Sequence, residues 1–335
     1  MASITTVVVG LGVHGSAMAR LLPGVGVRVL GAADPRHAGA DLGDIAEAPE
    51  LCGITVAADP EDLDWHADIA LAILTAKVPV DTLASLAVPI LQRGIDVVTI
   101  VEDAFDLERF APEAHRRIHE AALAGGASFV VTGSQDALWA GLVIQMSSQA
   151  RGLRGIEIST HLGVDGYPEE FLSWCGIGNT PEQFERSAAV AAETPSVFGA
   201  VLPVIADALG LTIVSEDRTL EPYAIDTDLE SQTLGRVIAA GDPIGRRDTV
   251  TASTAEGISL RAELITSAVM GEDAFRAHFD ATPSIDLQHR LEPANLSVDA
   301  VLINRIPDVL AAPPGFIRTI DLPTPRYRVS LSSGR

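Results

Sequence analysis

Three glycines near the start of the chain have the spacing of a dinucleotide-binding loop. Gly10, Gly12 and Gly15 follow the β-rich run Ile4 to Val9 and precede a helical pattern at Ser16 to Leu22. The first glycine permits a tight turn, the second lets the backbone approach a pyrophosphate, and the third lets the helix pack on the strand. The unpaired N–H groups of the helix N-terminus would face the phosphates.

An acidic residue at the end of the second apolar run supports this interpretation. Asp34 ends the run Val27 to Ala33 and lies 19 residues after Gly15, where a carboxylate takes the ribose hydroxyls of NAD. Arg36 leaves an alternative open, because a guanidinium there can accept the 2'-phosphate of NADP. NAD is slightly favoured and dual use stays open. We expect cofactor contacts from Gly10, Gly12, Val13, His14, Gly15, Asp34, Arg36 and Thr75.

A candidate acid–base residue follows the strand predicted at Asp96 to Val101. Ligands of a doubly wound sheet lie at the carboxyl ends of its strands, so Glu102 would lie near the nicotinamide end of a bound dinucleotide. Partial burial would raise the pKa of its carboxyl towards the range useful for proton transfer. The alternative is an ordinary solvated acid on a loop.

The elements that position these residues alternate between strands and helices. Further strands are predicted at Ala67 to Leu74 and Ser128 to Thr132, and helices at 79–93 and 108–125. This alternation predicts an α/β fold with a Rossmann-type doubly wound parallel sheet.

From about residue 134 the pattern changes to longer polar and apolar runs joined by turns. It predicts a second, α+β domain built on a largely antiparallel sheet. We expect a dinucleotide-binding domain at 1–133, completed by the C-terminal segment 294–335, and a substrate-binding and oligomerisation domain at 134–293. Strands are predicted at Gly155 to His161, Leu211 to Leu220, Thr249 to Ala255 and Ile258 to Ser267, and helices at 181–193 and 196–209 with Thr180 and Ser196 as N-caps.

Composition excludes several classes of partner. The 335 residues carry 23 basic and 45 acidic side chains, a formal net charge of −22, and Lys77 is the single lysine. Such a chain is a poor partner for nucleic acid or an anionic membrane. With 47% hydrophobic residues it can bury about two domain cores.

Other sequence features predict a mature cytoplasmic protein. No uninterrupted apolar run reaches the roughly 18 residues of a membrane helix. The first residues mimic a signal peptide but lack a basic start, and we read them as mature sequence. Cys52 and Cys175 fit no disulfide or metal pattern, as expected in a reducing compartment.

His115 and His119 are spaced to share a metal, yet no carboxylate accompanies them, and no metal is expected.

Four segments resemble the native amine dehydrogenases, relatives of 2,4-diaminopentanoate dehydrogenase with a dihydrodipicolinate reductase-like N-terminal domain. They are the Gly10 to Gly15 motif, Gly39 to Gly43, Glu102 and, most specifically, the tail block Ile303 to Phe316. The resemblance implies NAD(P)-dependent deamination of a small primary amine to a carbonyl compound and ammonia, and the reverse amination.

The resemblance also implies roles for particular residues. Glu102 would handle the proton of the amine, and Trp139 and Tyr167 would bound a small pocket. His161 lies close to Tyr167 in sequence, and either lines the pocket or makes a structural hydrogen bond. The relatives further imply a homodimer built through the sheet of the second domain.

The predicted pocket segments argue against a carboxylate on the substrate. Segments 133–145 and 161–175 contain four acidic residues and neither arginine nor lysine, so a substrate carboxylate would find no counter-ion in them. Gly133 to Leu138 also lacks the Asn-Pro-Gly character of the diaminopentanoate enzymes. Lys77, just past a strand, would contact the cofactor ribose or cover a helix start.

Two other functions remain as alternatives. Sugar dehydrogenases of the Gfo/Idh/MocA type share this domain plan, but their Glu-Lys-Pro motif is replaced here by Glu102-Asp103-Ala104, without the lysine base. A protein that binds a dinucleotide only as a sensor is the alternative from a different class.

Overall fold

A computed structural model describes residues 4–65, 68–290 and 294–331. Its strands are β1 (Ile4–Val9), β2 (Val27–Ala33), β3 (Leu71–Leu74), β4 (Asp96–Thr99), β5 (Ser128–Val131), β6 (Arg151–Gly163), β7 (Ile213–Tyr223), β8 (Leu229–Ser231), β9 (Arg236–Ile238), β10 (Gly245–Thr254), β11 (Ser259–Ser267), β12 (Ala274–Thr282), β13 (Ile285–Arg290) and β14 (Gly315–Ile317). Its α-helices are α1 (Val13–Leu21), α2 (Leu42–Ala46), α3 (Val80–Gln92), α4 (Leu107–Phe110), α5 (Pro112–Gly125), α6 (Val143–Ser147), α7 (Glu169–Trp174), α8 (Pro181–Ala192), α9 (Val197–Ala208) and α10 (Ala294–Leu310).

The chain divides into two compact units. The first comprises residues 1–137 together with 297–335, and the second comprises residues 138–296. The C-terminal segment thus belongs to the same unit as the N-terminal residues.

The first unit is built on a six-stranded sheet in the order β14-β5-β4-β3-β1-β2. Every neighbouring pair in it is parallel. Because β2 lies on one side of β1 and β3 on the other, the strand order reverses between β1 and β3. Such a reversal is where doubly wound sheets bind their ligands. The predicted Rossmann-type fold is confirmed.

The core of this unit joins strand β1 to the C-terminal helix α10. The β-branched run of β1 buries Val7, Val8 and Val9, and α10 adds Leu302 and Ile306 to the apolar cluster that contains Val8. Burial of these side chains supplies most of the favourable free energy of this packing.

The second unit contains a six-stranded sheet in the order β13-β12-β6-β11-β10-β7. Its pairs are antiparallel except for β6 and β11, which are parallel. The apolar helix α9 buries Phe198, Val201 and Leu202 completely. The predicted α+β fold on a largely antiparallel sheet is confirmed.

Several elements differ from the sequence prediction. Helix α1 begins at Val13 rather than Ser16, because extended Gly12 serves as its N-cap. Thr180 caps α8 as predicted and does so in a capping box with Gln183, whereas the Ser196 hydroxyl donates to Asp248 at 3.1 Å instead of capping α9. The sequence prediction missed β12, β13, the β8–β9 hairpin and a π-helix at Gln135–Leu142.

One stretch, Pro181–Ala208, has the length and mean hydropathy of 1.6 that a membrane span needs. Half of it is buried within the protein, and it forms the two separate helices α8 and α9. A buried core helix passes the same test, so the stretch is weak evidence for a membrane span.

Candidate active site

The glycine loop after β1 leaves no space for a side chain at Gly10 or Gly15. A Cβ on Gly15 would lie 1.8 Å from the Gly10 carbonyl oxygen and 2.7 Å from Thr75 Oγ1, and a Cβ on Gly10 would lie 2.5 Å from the Ala76 nitrogen. Gly10 also has a φ of +90°, which disfavours other residues. The loop therefore brings bare backbone and the N-terminus of α1 to the sheet edge, as a pyrophosphate requires.

Thr75 supports this loop from the end of β3. Its hydroxyl donates a hydrogen bond to the Gly10 carbonyl at 2.7 Å. Val13 is exposed at the start of α1. His14 follows it, half-buried, with Nδ1 2.7 Å from Oδ1 of buried Asp299 on α10.

Asp34 is 3% exposed and already has hydrogen-bond donors around both carboxylate oxygens. The Leu11 backbone donates to Oδ2 at 2.7 Å, the Arg36 backbone donates to Oδ1 at 2.8 Å, and the Arg36 guanidinium donates to both oxygens. Burial opposes ionisation of Asp34, but these hydrogen bonds outweigh it and lower the pKa of the carboxyl. Asp34 therefore holds two groups in place: the glycine loop, through the Leu11 backbone, and the Arg36 side chain.

Arg36 lies at the rim of the same loop. Its side chain is 69% exposed, and Nη2 lies 3.8 Å from the position that a Cβ on Gly12 would occupy. An exposed guanidinium beside the phosphate-binding turn is suited to a further phosphate group.

Glu102 begins a 3₁₀ turn, Glu102–Ala104, with two residues between it and the end of β4 at Thr99. Its side chain remains accessible to solvent, yet the surrounding protein removes enough water to raise the pKa of the carboxyl. Lys77 and His14 oppose this rise and Asp103 adds to it. The carboxyl ends of β1, β3 and β4 thus bring His14, Lys77 and Glu102 close enough to interact electrostatically.

Sequence reasoning missed Asp299, and it gave Lys77 roles other than an interaction with Glu102. Asp299, which holds His14, is 285 residues away from it in the sequence, and no local pattern marks it. Lys77 was assigned to the cofactor ribose or to a helix start, and its electrostatic effect on Glu102 and Asp103 follows only from the sheet order.

The three predicted pocket residues lie in the second unit with three different partners. Trp139 is buried in the π-helix with its ring 5.5 Å from that of Phe198, and π-helices are frequent at functional sites. Within the described ranges, its indole N–H has no hydrogen-bond acceptor. Tyr167 is 40% exposed, with its ring 5.3 Å from that of Phe171.

His161 is buried and makes the hydrogen bond that was one of its two expected roles. Its Nε2 lies 2.7 Å from Ser267 Oγ, and its ring meets that of Tyr223 edge-on at 5.8 Å. Burial lowers the pKa of His161 against the opposing effect of Glu272 and Asp273. The side chain therefore favours the neutral form.

The histidine pair on α5 has a structural environment. The Phe316 backbone donates to His119 Nδ1 at 3.1 Å, and the ring of His115 packs edge-on against that of Phe316 at 4.8 Å. Among residues 4–65, 68–290 and 294–331, no group of three side chains is arranged to hold a metal ion.

The chain was compared with known proteins. A profile of the 2,4-diaminopentanoate dehydrogenase C-terminal domain matches residues 138–332. No curated protein matches significantly. Among solved structures, amine dehydrogenase from Mycobacterium smegmatis is 26% identical with a TM-score of 0.88, over 98% of this chain and 99% of that chain.

Sugar dehydrogenase structures share the fold at lower identity. Myo-inositol dehydrogenase from Lactobacillus casei, solved with NAD(H) and myo-inositol, is 12% identical with a TM-score of 0.62, over 96% of this chain and 90% of that chain. Myo-inositol dehydrogenase from Corynebacterium glutamicum is 16% identical with a TM-score of 0.57, over 94% and 90%. These likenesses concern the fold alone.

Proposed function

The chain belongs to the family of the 2,4-diaminopentanoate dehydrogenase C-terminal domain and is a dinucleotide-dependent dehydrogenase, and we propose that it interconverts small primary amines and carbonyl compounds. The membership confirms the resemblance drawn from the tail block Ile303 to Phe316. In the proposed reaction an amine and water give a ketone or aldehyde, ammonia, a hydride and a proton.

Glu102 is the acid–base residue in this proposal. In deamination its carboxylate takes the proton from the substrate ammonium, which frees the nitrogen lone pair as the hydride leaves carbon. In amination the protonated carboxyl gives its proton to the hydroxyl of the carbinolamine, which departs as water. The raised pKa of Glu102 supports both roles, because a carboxyl with a raised pKa takes up and holds a proton more readily than an ordinary glutamic acid.

The glycine loop is proposed to hold the cofactor, which when bound accepts the hydride in deamination and returns it in amination. Gly10, Gly12 and Gly15 would give the space for the phosphates, and Val13 and His14, on the first turn of α1, would lie beside them. Thr75 keeps the loop in place through Gly10. Bare backbone at this edge is the feature that supports the fit.

Asp34 and Arg36 support use of both NAD and NADP. Asp34 would share its carboxylate between the loop and the ribose of NAD, and Arg36 would accept the 2'-phosphate of NADP. The pairing of the two side chains keeps both groups at the same rim.

Trp139, Tyr167 and His161 are proposed to shape the substrate pocket. We also propose that the chain works in the cytoplasm as a homodimer joined through the sheet of the second unit. Cys52 and Cys175 are both free thiols, which fits a reducing compartment. Light scattering after gel filtration measures the oligomeric state.

The single observation that carries the proposal is the position of Glu102 in the turn after β4, close enough to Lys77 and to His14 of the glycine loop to interact electrostatically with both. The test follows NADH or NADPH consumption with a ketone panel, with and without ammonia. Consumption that needs ammonia supports amine chemistry, consumption without ammonia indicates an alcohol or sugar dehydrogenase, and cofactor binding without turnover indicates a sensor.

A matched pair of variants tests the residue assignment. Glu102→Gln keeps the shape and removes proton transfer, so turnover should fall about 100- to 10,000-fold with cofactor affinity nearly unchanged. Glu108→Gln alters an exposed acid on α4 and should keep full activity. Full activity in Glu102→Gln would refute the assignment.

A further inference from the structure

A buried carboxylate on the C-terminal helix holds a histidine at the glycine loop. Asp299 on α10 is 4% exposed, and its Oδ1 lies 2.7 Å from Nδ1 of His14 in the first turn of α1. In the described part of the chain, His14 is the only side chain that pairs with the Asp299 carboxylate. Both residues belong to the first unit, so the pair lies within the unit that carries the loop.

The second ring nitrogen of His14 is left available by this geometry. A carboxylate accepts hydrogen bonds and cannot donate them, so the proton of a neutral His14 ring lies on Nδ1 and the lone pair on Nε2. Among the residues that the structure describes, Nε2 has no hydrogen-bond partner, and the side chain is 28% exposed. His14 can therefore accept a proton at Nε2 while Asp299 keeps the ring in place.

A second histidine–carboxylate pair shows what distinguishes this one. His278 Nδ1 and Asp286 Oδ1 in the second unit are also 2.7 Å apart, but the Asp286 side chain is 83% exposed, against 5% for Asp299. Exposed pairs of this kind contribute little. A carboxylate removed from water, by contrast, needs a partner that donates a hydrogen bond or carries positive charge. Asp299 therefore supplies a fixed counter-charge for an imidazolium at His14.

Glu102 is a second carboxyl group that interacts with His14. Only β3 separates β4 from β1 in the sheet, so the ends of the three strands lie side by side. Burial raises the pKa of the Glu102 carboxyl, and the charges of Lys77 and His14 oppose this rise. An imidazolium at His14 thus has two carboxyl groups and one ammonium group in its surroundings.

Helix α1 also packs on β1, on α2 and on the 3₁₀ turn that precedes β2. Strand β1 and the turn contain no titratable side chain. Helix α2 contributes exposed Asp44 and its N-cap Asp41, whose carboxylate accepts two backbone hydrogen bonds. Arg36 at the rim of the glycine loop is engaged in an ion pair of its own. Of these described groups, none forms a hydrogen bond or ion pair with His14, and Asp299 is its charged partner in direct contact.

The place of His14 makes its charge sensitive to an anion in the loop. The positive end of the α1 dipole opposes an imidazolium while the loop is empty, whereas a diphosphate there favours it and accepts a hydrogen bond from it. We propose that His14 takes up a proton from solvent when a dinucleotide binds, with Asp299 as the positioning residue, so that the affinity for the cofactor falls as the pH rises. This inference rests on the proposed place of the cofactor at the glycine loop. The proton passes from the buffer to Nε2, and no covalent bond of the dinucleotide changes.

Calorimetry with ADP-ribose measures the proton uptake. This ligand carries the diphosphate and lacks the nicotinamide, and titrations in buffers of different ionisation enthalpy give the number of protons bound per ligand. The wild-type protein should take up a fraction of one proton between about pH 6 and 8, where imidazoles change charge. The Kd should rise with pH over the same range. Binding without proton uptake throughout this range would overturn the proposal.

Three variants and one further ligand assign the proton to one side chain. His14→Gln cannot be protonated, and should lose the uptake and raise the Kd for ADP-ribose at pH 6 about 5- to 30-fold, between the effects of an exposed ion pair and a charged hydrogen bond. Asp299→Asn should move the uptake to lower pH, because the imidazolium loses its counter-charge. His278→Gln removes the histidine of the exposed pair and should keep the wild-type uptake. Adenosine, without phosphates, should bind without uptake. Uptake that persists in His14→Gln, or that accompanies adenosine, would contradict the proposal.

The outcomes also separate this inference from a structural role and from the proposed function. If the pair only joined α10 to α1, His14→Gln would lower the melting temperature and leave the pH dependence of ADP-ribose binding unchanged, which would overturn the proposal. Proton-linked binding of ADP-ribose without ammonia-dependent turnover would refute the amine function alone. Ammonia-dependent turnover together with binding that takes up no proton would refute this inference alone.

Discussion

Replacement of Arg305 by alanine tests how the C-terminal helix is joined to the first unit. Arg305 is 1% exposed, and its Nε and Nη2 donate to the two oxygens of Asp136 at 2.8 and 2.7 Å. Its Nη1 donates to Asp308 at 3.4 Å and to the Pro323 carbonyl. In Arg305→Ala, the buried carboxylates of Asp136 and Asp308 and the Pro323 carbonyl would lose this donor. Thr132 would remain as a partner of Asp136, and Arg328 as a partner of Asp308.

The size of the effect follows from this burial. Removing one partner of a buried ion pair costs about 3 to 5 kcal/mol, because the remaining charge stays desolvated. For a unit of this size that loss lowers the melting temperature by about 6 to 20 °C. The double variant Arg305→Met with Asp136→Leu should recover much of the loss, since an apolar pair leaves no charge at the Asp136 position.

Thermal unfolding of the full chain, followed by circular dichroism, measures these differences. Arg116→Ala is the control, because Arg116 pairs with Glu113 and Glu120 on the exposed face of α5, and it should leave the melting temperature nearly unchanged. A shift below about 2 °C in Arg305→Ala, or a double variant no better than the single one, would refute the reasoning.

Three further predictions concern the cofactor and the proton. Gly15→Ala should abolish NADH binding, measured by fluorescence titration, because its Cβ would lie 1.8 Å from the Gly10 carbonyl. Arg36→Ala should raise the KM for NADPH about 10- to 150-fold and change that for NADH little; equal changes would contradict the assignment of Arg36. For Glu102, the pKa in the folded protein lies above the ordinary 4.5. As the pH rises from 4.5 through that folded pKa, the rate of deamination should increase and the free energy of unfolding should fall. In Glu102→Gln, the pH dependence that this carboxyl gives to kcat and to the melting temperature should be lost.

Local patterns predicted those parts of the fold that depend on local interactions. The β-branched run of β1, the glycines after it and the N-cap at Thr180 all act within a few residues, and each appears where predicted. Strand β13 was missed because only Ile285 and Leu287 in it are apolar. Strand β12 was missed although Phe275, Ala277 and Phe279 alternate with polar residues and form a buried face. The π-helix was missed because no residue propensity specifies its hydrogen-bond pattern.

The site shows the same division between local and long-range interactions. Glu102 was named because it directly follows a strand, and its raised pKa agrees with the expectation. The effects of Lys77 and Asp299 depend on how separate segments meet in the fold. The contact between Arg246 and Trp174 is a further example, since it joins residues 72 positions apart in the sequence.

The discontinuity of the first unit has a consequence for synthesis on the ribosome. Strand β5 ends at Val131, but its neighbour β14 begins at Gly315, so at 5 to 20 residues per second about 10 to 40 s separate their translation. During this time the edge of β5 has no strand beside it and Asp136 lacks Arg305. The nascent chain therefore exposes an unpaired β-edge, a template for aggregation, and truncation before β14 should yield insoluble protein.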